Sequence, residues 1–286
     1  MGSHPDSTRS ELLAGLADEL WQAETDRRPL EPLKKRFPEL TVDDAYRIQL
    51  VNVRRRVAAG ERIIGHKIGL TARAMQIKFN VDTPDYGHLL DTMALRPGVP
   101  LDMNELIDPQ IEVEPAFVLG RELVGPGVTR KDVMRAIEYT CVCFEVIDSR
   151  IAEWRIQLED TVADNGSSSR LLLGTGRHDP RNLALDNLET ELEIDGTVVE
   201  TGNTSAILGH PADGVVWLAN AVAPFGVTFE AGHVILPGTS TRSYRLNGCK
   251  EARGRIAGLG EVVLGVHGAV WSNNTDRRRE SGPTRE

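Results

Sequence analysis

Apolar residues recur along this chain with two different periods, and the change falls near residue 63. Up to that point the spacing is helical. Tyr46, Leu50, Val53 and Val57 follow at intervals of three or four, which keeps side chains on one face of a helix. Thr41-Val-Asp-Asp44 precedes them as a variant of the capping box, and Gly60 ends the run. An earlier helix is expected over Ser10 to Glu24, with the polar, proline-bearing TDRRPLEPLKKRFPEL as connector.

From Ile63 onward, short apolar runs are punctuated by Gly, Pro and Asp, as in strands joined by turns. Two helices interrupt them. One runs from a Thr129 cap through Val133 and Ile137; the other has Pro211 in its first turn, puts Val215, Leu218, Ala219 and Val222 on one face and stops before Pro224. ELEIDGTVVE reads as a hairpin turning on Asp195-Gly196, a pair that tolerates positive φ. HVILPG and GLGEVVLGV close the region as strands, and no repeat of solenoid or propeller length is present. The chain therefore reads as α+β: a helical N-terminal region over 1–65, a β-rich domain over 66–271, and a polar tail over 272–286 expected to be disordered.

Against this pattern, IEVEPAFVLG at 111–120 stands out. As a strand it points Glu112 and Glu114 the same way, about 7 Å apart. A third acid, Glu145, sits in the equally apolar CVCFEVIDSR. Three carboxylates from two strands would make a hard oxygen set suited to Mg²⁺ or Mn²⁺. The alternative is a solvated sheet face, with Glu145 paired to Arg150. Lys67 lies between apolar neighbours in GHKIGLT, with glycines that allow close approach, and could bind a carboxylate or move a proton, or else snorkel to the surface. Asp85 belongs to a Pro-Asp-Tyr-Gly turn and could simply cap it. VADNGSSSRLLLG offers Asn165 and Ser167 to Ser169 in a polar loop before a strand. His66 and His88 stand beside these motifs without metal-ligand spacing, and no Walker A loop, dinucleotide turn or nucleophile elbow occurs.

Composition narrows the classes. With 286 residues, 40% hydrophobic and 26% charged, the chain is of ordinary globular type. Its net charge of -9 speaks against nucleic acid and for a small-molecule ligand, and an anionic one needs local positive charge. No signal-peptide pattern or run near the ~20 apolar residues of a membrane span occurs, so a cytoplasmic protein without membrane contact is expected. Three cysteines fit a reducing compartment, with Cys141 and Cys143 read as small buried hydrophobes.

In their order, GHKIGLT, PDYG, IEVEPAFVLG, EVIDSR, DTVADNGSSSRLLLG and LGHPADGVVWLANAVAPFG resemble the fumarylacetoacetate hydrolase superfamily, nearest to its 2-hydroxypenta-2,4-dienoate hydratase branch. The likeness runs from about residue 40 to 270. It implies a helical N-terminal part and a β-rich, fumarylacetoacetase C-terminal-like domain around a curled mixed sheet. It places the metal-binding acids on Glu112, Glu114 and Glu145, the active-site lysine on Lys67, the PDYG aspartate on Asp85 and the loop serine on Ser167. Gly166 departs from the usual Asp-Asn-Ala-Ser loop, and Pro115 replaces an aliphatic residue, which suggests a sheet edge or bulge. PGTSTRSYRLNGCKEARGRI departs most, at positions that bear on the substrate's side chain.

The implied chemistry is hydration of a 2-hydroxy-2,4-dienoate, through its 2-oxo-3-enoate tautomer, to a 4-hydroxy-2-oxo acid, with Mg²⁺ or Mn²⁺ as Lewis acid. Lys67 would hold the substrate carboxylate or transfer a proton, Asp85 or a Glu145-bound water would act as base, and Asn165 and Ser167 would orient the substrate. A homo-oligomer, and association with a downstream aldolase or decarboxylase, are also implied. The related 4-oxalocrotonate decarboxylase is the alternative, ahead of a C–C hydrolase, whose His-Glu pair is not evident, and of a non-catalytic partner subunit.

Overall fold

The computed structural model describes residues 5–72, 76, 81 and 83–270; the polar tail expected from 272 lies outside the described residues. Three helices come first: α1 (Pro5–Asp26), α2 (Leu33–Arg36) and α3 (Val42–Ala58). The strands are β1 (Ile63–Gly69), β2 (Asp85–Leu90), β3 (Leu101–Asp102), β4 (Gln110–Leu119), β5 (Ile137–Ile147), β6 (Ser168–Leu173), β7 (Glu189–Ile194), β8 (Thr197–Asn203), β9 (Val234–Leu236), β10 (Tyr244–Arg245), β11 (Glu251–Ile256) and β12 (Gly260–His267). Between them lie α4 (Arg130–Ala136), α5 (Leu158–Ala163) and α6 (Pro211–Val222).

Local signals account for most element ends. Thr41 and Asp44 form a reciprocal capping box on α3, and Thr129 and Asp132 repeat it on α4. Asp44 also takes the Arg9 guanidinium of α1, which together with Thr41 holds its carboxyl down at about 2. Asp195 and Gly196 turn the β7–β8 hairpin with φ of 48° and 81°, and Pro211 opens α6, whose Val215, Leu218, Ala219 and Val222 are all buried.

Several expectations change once the chain is packed. The connector between α1 and α3 contains α2, and Ile137 starts β5 instead of ending the helix capped by Thr129. On α3 the buried face is centred on Ala45, Ile48 and Gln49, while Val57 is exposed. Gln49 donates to the backbone carbonyls of Tyr86 and Val162, which ties the helix to β2 and α5. Pro-Asp-Tyr-Gly is no turn: Asp85 opens β2, which pairs antiparallel with β1 from Gly69↔Asp85 to Ile63↔Leu90. Pro115 lies in an interior strand and its pairing with Val142 of β5 has no bulge. On the other flank, β4 pairs with β10 at Ile111 and with β9 at Phe117 and Val118, so the proline falls in the gap between two partners. There its missing N–H breaks no ladder.

Two mixed sheets result. The larger runs β2-β1-β9-β4-β5-β6 with β10 beside β4, and the smaller runs β3-β12-β11-β7-β8. The larger sheet curls into a half-barrel: Asn165, just before β6, exchanges two hydrogen bonds with the His88 backbone of β2. Alternation then sorts the strands. Val113 and Phe144 face the second sheet, where Gly254 of β11 leaves a methyl's width for them. Ala116, Val118, Cys141, Cys143 and Leu171 turn inward as a compact apolar cluster. Both cysteines are fully buried and free. Among the described residues no helix is long and apolar enough to cross a membrane.

Candidate metal centre and active site

The register of β4 and β5 brings the three glutamates together. Glu112 stands directly opposite Glu145, and Glu114, opposite Cys143, is the next inward residue on the same face. One carboxylate oxygen from each lies within 4.8 Å of the others. Glu114 and Glu145 are completely buried, and Glu112 is half-buried toward the mouth. Gly238 N–H donates to Glu114 Oε2 at 2.9 Å, yet Glu114 Oε1 and both Glu145 oxygens have no hydrogen-bond partner. Buried carboxylates are ordinarily saturated with donors. Orphaned oxygens converging from three acids are what a hard cation completes, so the donor set fits a divalent ion.

Lys67 faces the same space from β1 and is 4% exposed, so it does not snorkel. Its Nζ is 3.6 Å from Glu145 Oε1, an ion pair too long for a hydrogen bond. Glycines make room for it: a Cβ on Gly166 would stand 3.1 Å from the lysine side chain, and one on Gly69 would strike Asp85 Oδ1 at 2.2 Å. Asp85 is buried, accepts from Thr161 Oγ1 at 2.9 Å through Oδ2, and leaves Oδ1 without a partner.

Burial first, and then repulsion from Glu145, pushes the Glu112 carboxyl up to about 8, and the same causes drive Glu114 well above its ordinary value. Glu145 is raised by burial, against the pull of Lys67 and of the Ser168 hydroxyl. Burial would lower the Lys67 ammonium, but Glu145, Asp85, Glu112 and Glu114 together outweigh it and hold the pKa above normal. Four acids thus surround one lysine.

The neighbouring loop also ties the sheet together. Asn165 Oδ1 accepts from His88 N at 2.8 Å and Nδ2 donates to His88 O at 2.9 Å, so its amide closes the half-barrel and is occupied by backbone. Ser167 lines the cavity, but its hydroxyl donates to Asp164 at 3.2 Å. Asp164, not Glu145, is the partner of Arg150, whose guanidinium also caps the carbonyls of Asp148, Asp164 and Ser168. Ser168, whose buried hydroxyl stands beside Glu145 and favours its ionised form, is closer to the acids than Ser167.

Sequence reasoning passed over Thr161, which fixes Asp85, and Trp154 and Ile156, which line the cavity. Thr161 stands inside a recognised motif, DTVADNG, and was within reach; no sequence signal marks the other two. His66 and His88 point to the far face of β1 and β2, away from the acids; His88 Nδ1 contacts Gln49 Oε1 at 2.9 Å.

The cavity measures about 180 Å³ and runs from Lys67, Asp85 and Glu112 to Ile147, Trp154 and Ile156. A fixed ammonium, an acid cluster fit for a cation and a carboxylate with a free oxygen can together hold a small oxo acid and move protons on it.

Residues 72–267 match the model of the fumarylacetoacetate (FAA) hydrolase C-terminal family. The chain is 45% identical over 222 residues to 2-hydroxyhexa-2,4-dienoate hydratase of Comamonas testosteroni, covering 77% of this chain and 84% of that one. Identity is 44% over 217 residues to 2-hydroxypent-2,4-dienoate hydratase of Pseudomonas putida, covering 76% and 98%. Among solved structures, 4-oxalocrotonate decarboxylase from Pseudomonas putida G7, complexed with magnesium and adipate, superposes with a TM-score of 0.86 at 36% identity, covering 90% of this chain and 98% of the other. A second structure of that enzyme is complexed with calcium and acetate. With more than half its length inside the family model and relatives above 40% identity over three quarters of it, the chain belongs to the fumarylacetoacetate hydrolase family.

Proposed function

We propose that this protein is a hydro-lyase that adds water to a 2-hydroxy-2,4-dienoate, by way of the 2-oxo-3-enoate, to give a 4-hydroxy-2-oxo acid of the kind met in meta-cleavage breakdown of aromatic rings. One observation carries it: the orphaned oxygens of Glu114 and Glu145 face the Lys67 ammonium in a buried pocket, in a chain similar to hydratases of such dienoates.

Glu112, Glu114 and Glu145 would hold Mg²⁺ or Mn²⁺, which when bound supplies Lewis acidity toward the substrate's 2-oxygen. Lys67 anchors the substrate carboxylate, because it is the one cation among the described lining residues and its neighbours keep it charged. As the 2-hydroxyl proton leaves, C5 gains a proton and the C4–C5 double bond is consumed, giving the conjugated 2-oxo-3-enoate. Water oxygen then bonds to C4, its proton passes to the free Oδ1 of Asp85, and the electron pair moves to C3, which is protonated in turn. Thr161 holds Asp85 in place for this, and the inner apolar cluster excludes further water. Ser167 borders the substrate, and Asn165 fixes the loop that carries it. The catalytic domain is taken as residues 66–271, and the working assembly as a homo-oligomer that covers the sheet edge at β8, where Val198 is exposed.

The structural likeness to the decarboxylase favours a second reading, loss of carbon dioxide from 4-oxalocrotonate at the same centre. Incubation of 2-hydroxypenta-2,4-dienoate with Mg²⁺ in H₂¹⁸O separates the two. Loss of dienol absorbance with ¹⁸O at C4 is expected. Carbon dioxide from 4-oxalocrotonate with no hydration of the dienoate would replace the first reading by the second.

A further inference from the structure

Strand register sets the direction in which the cavity continues beyond the acids. From floor to mouth, the concave face presents Glu114, Glu112 and Gln110 on β4 against Cys143, Glu145 and Ile147 on β5. Each step is about 7 Å. The inward direction is closed by Cys143, Cys141, Ala116 and Leu171. A substrate anchored by its carboxylate at Lys67 can therefore extend only outward, over Ile147.

Among the described residues the lining of that outward path is apolar and uncharged, and Arg245, opposite Gln110 on β10, is paired with Asp108. Leu70, Ile147, Trp154 and Ile156 form its walls, and its polar members, Gln110 and Ser243, are neutral and hydrogen-bonded to each other at 2.6 Å. Among the described lining residues Lys67 is the sole cation. The wall is also held firmly. Glu153 and Trp154 both adopt left-handed φ, 58° and 55°, a conformation that non-glycine residues keep only where their surroundings over-determine it. Here Trp154 Nε1 donates to Asp108 O at 3.0 Å, and Leu30 from the N-terminal connector exchanges hydrogen bonds of 2.8 Å with Arg150 and Ala152 on either side of Ile151. Glu31 adds an ion pair to Arg155.

We propose that Ile147, Trp154 and Ile156 form the subsite for the distal end of the substrate, and that they select dienoates ending in an uncharged alkyl group over those ending in a second carboxylate. This rests on the reading of the site as one for 2-oxo acids. A terminal carboxylate would lose its hydration against these side chains without gaining a cation from the described lining residues, whereas each methylene against an apolar wall is worth about 10-fold or more in discrimination.

The test uses saturated analogues, which bind but cannot be hydrated. Calorimetry on the Mg²⁺-loaded protein should show 2-oxoheptanoate binding at least about tenfold tighter than 2-oxoheptanedioate. Ile156→Ala should shrink that ratio to about threefold or less, and Ile156→Arg should reverse it, with circular dichroism confirming that both variants fold. Equal affinities, tighter binding of the dioate, or binding of neither acid would overturn the proposal. Dienoate hydration is assayed in parallel. If the alkyl preference holds while no dienoate is hydrated, the reaction assigned above falls and the subsite stands; if dienoates are hydrated but the dioate is preferred, the reverse is true.

Discussion

Two strands carry the same signature, Glu-x-Glu, and the fold surrounds them in opposite ways. On β7, Glu191 and Glu193 turn to the open side of the smaller sheet, where Arg255 reaches them at 2.7 and 3.1 Å and Arg253 stands 3.8 Å from Glu193. Their side chains keep 37% and 18% of their surface in water. On β4, Glu112 and Glu114 turn into the half-barrel, where no arginine among the described residues reaches them and the lysine present lies nearest Glu145. Exposed pairs contribute ~0–1 kcal/mol each, while a buried charge without its partner costs several. The acid pair alone therefore says little. What separates a surface lattice from a candidate metal centre is the supply of partners, and in the half-barrel the carboxylate oxygens left without one are those that the proposed cation would complete.

The strongest way to break this contrast is at the lysine. Lys67→Met is expected to lower turnover by about 10²- to 10⁴-fold, the usual range for a positioned proton-transfer or anchoring group, while Mg²⁺ affinity is kept or rises because a positive charge beside Glu145 is lost. Steady-state kinetics with calorimetry on the same sample check it, and turnover within tenfold of the parent would remove Lys67 from the site's chemistry.

Next comes Glu114→Gln, which should weaken divalent-ion binding by more than about tenfold and yet stabilise the metal-free protein by about 1–3 kcal/mol. Glutamine keeps the shape and relieves the repulsion that drives Glu114 and its neighbours upward. Thermal melts in chelator, beside melts in Mg²⁺, read both effects; a destabilised metal-free variant would show that the acids are compensated by something other than a cation.

A third test uses the histidines on the far side of β1 and β2. Burial holds the His88 imidazole down at about 4 and lowers His66 well below normal, so both are neutral in the fold. The unfolded chain binds their protons near pH 6.5, so the stability they permit is complete above that value and is lost as the pH falls toward 4. Urea unfolding at pH 7.5, 6 and 5 should show a progressive loss that His88→Gln reduces. A flat profile would mean that the imidazoles are solvated.

The smallest effect is expected on β7. Glu193→Gln should change stability by less than about 0.5 kcal/mol and not at all in high salt, as screened surface pairs do. Denaturant titrations at low and high NaCl check this. A loss as large as those at Glu114 would erase the distinction between the two strands.

Much of the molecule was legible along the chain because the deciding interactions are short-range. A capping box closes between Thr41 and Asp44, Asp195-Gly196 makes its own turn, and strand alternation by itself places Glu112 and Glu114 on one face. Glu145 and Lys67 stood out by their apolar settings, and the family motifs gave roles to them and to Asp85. What only the tertiary structure decided depends on residues distant in sequence. Pairing of β4 with β5 set Glu145 opposite Glu112 across 33 positions, and the gap between β10 and β9 made Pro115 harmless inside a sheet. Curling of the sheet engaged Asn165 with the His88 backbone, 77 residues away. The N-terminal connector braced Trp154 over the cavity. Side-chain direction follows from local dihedrals and can be read from one strand; burial, register and the presence of a counter-charge belong to the assembled fold, and those are what turn three acids into a site.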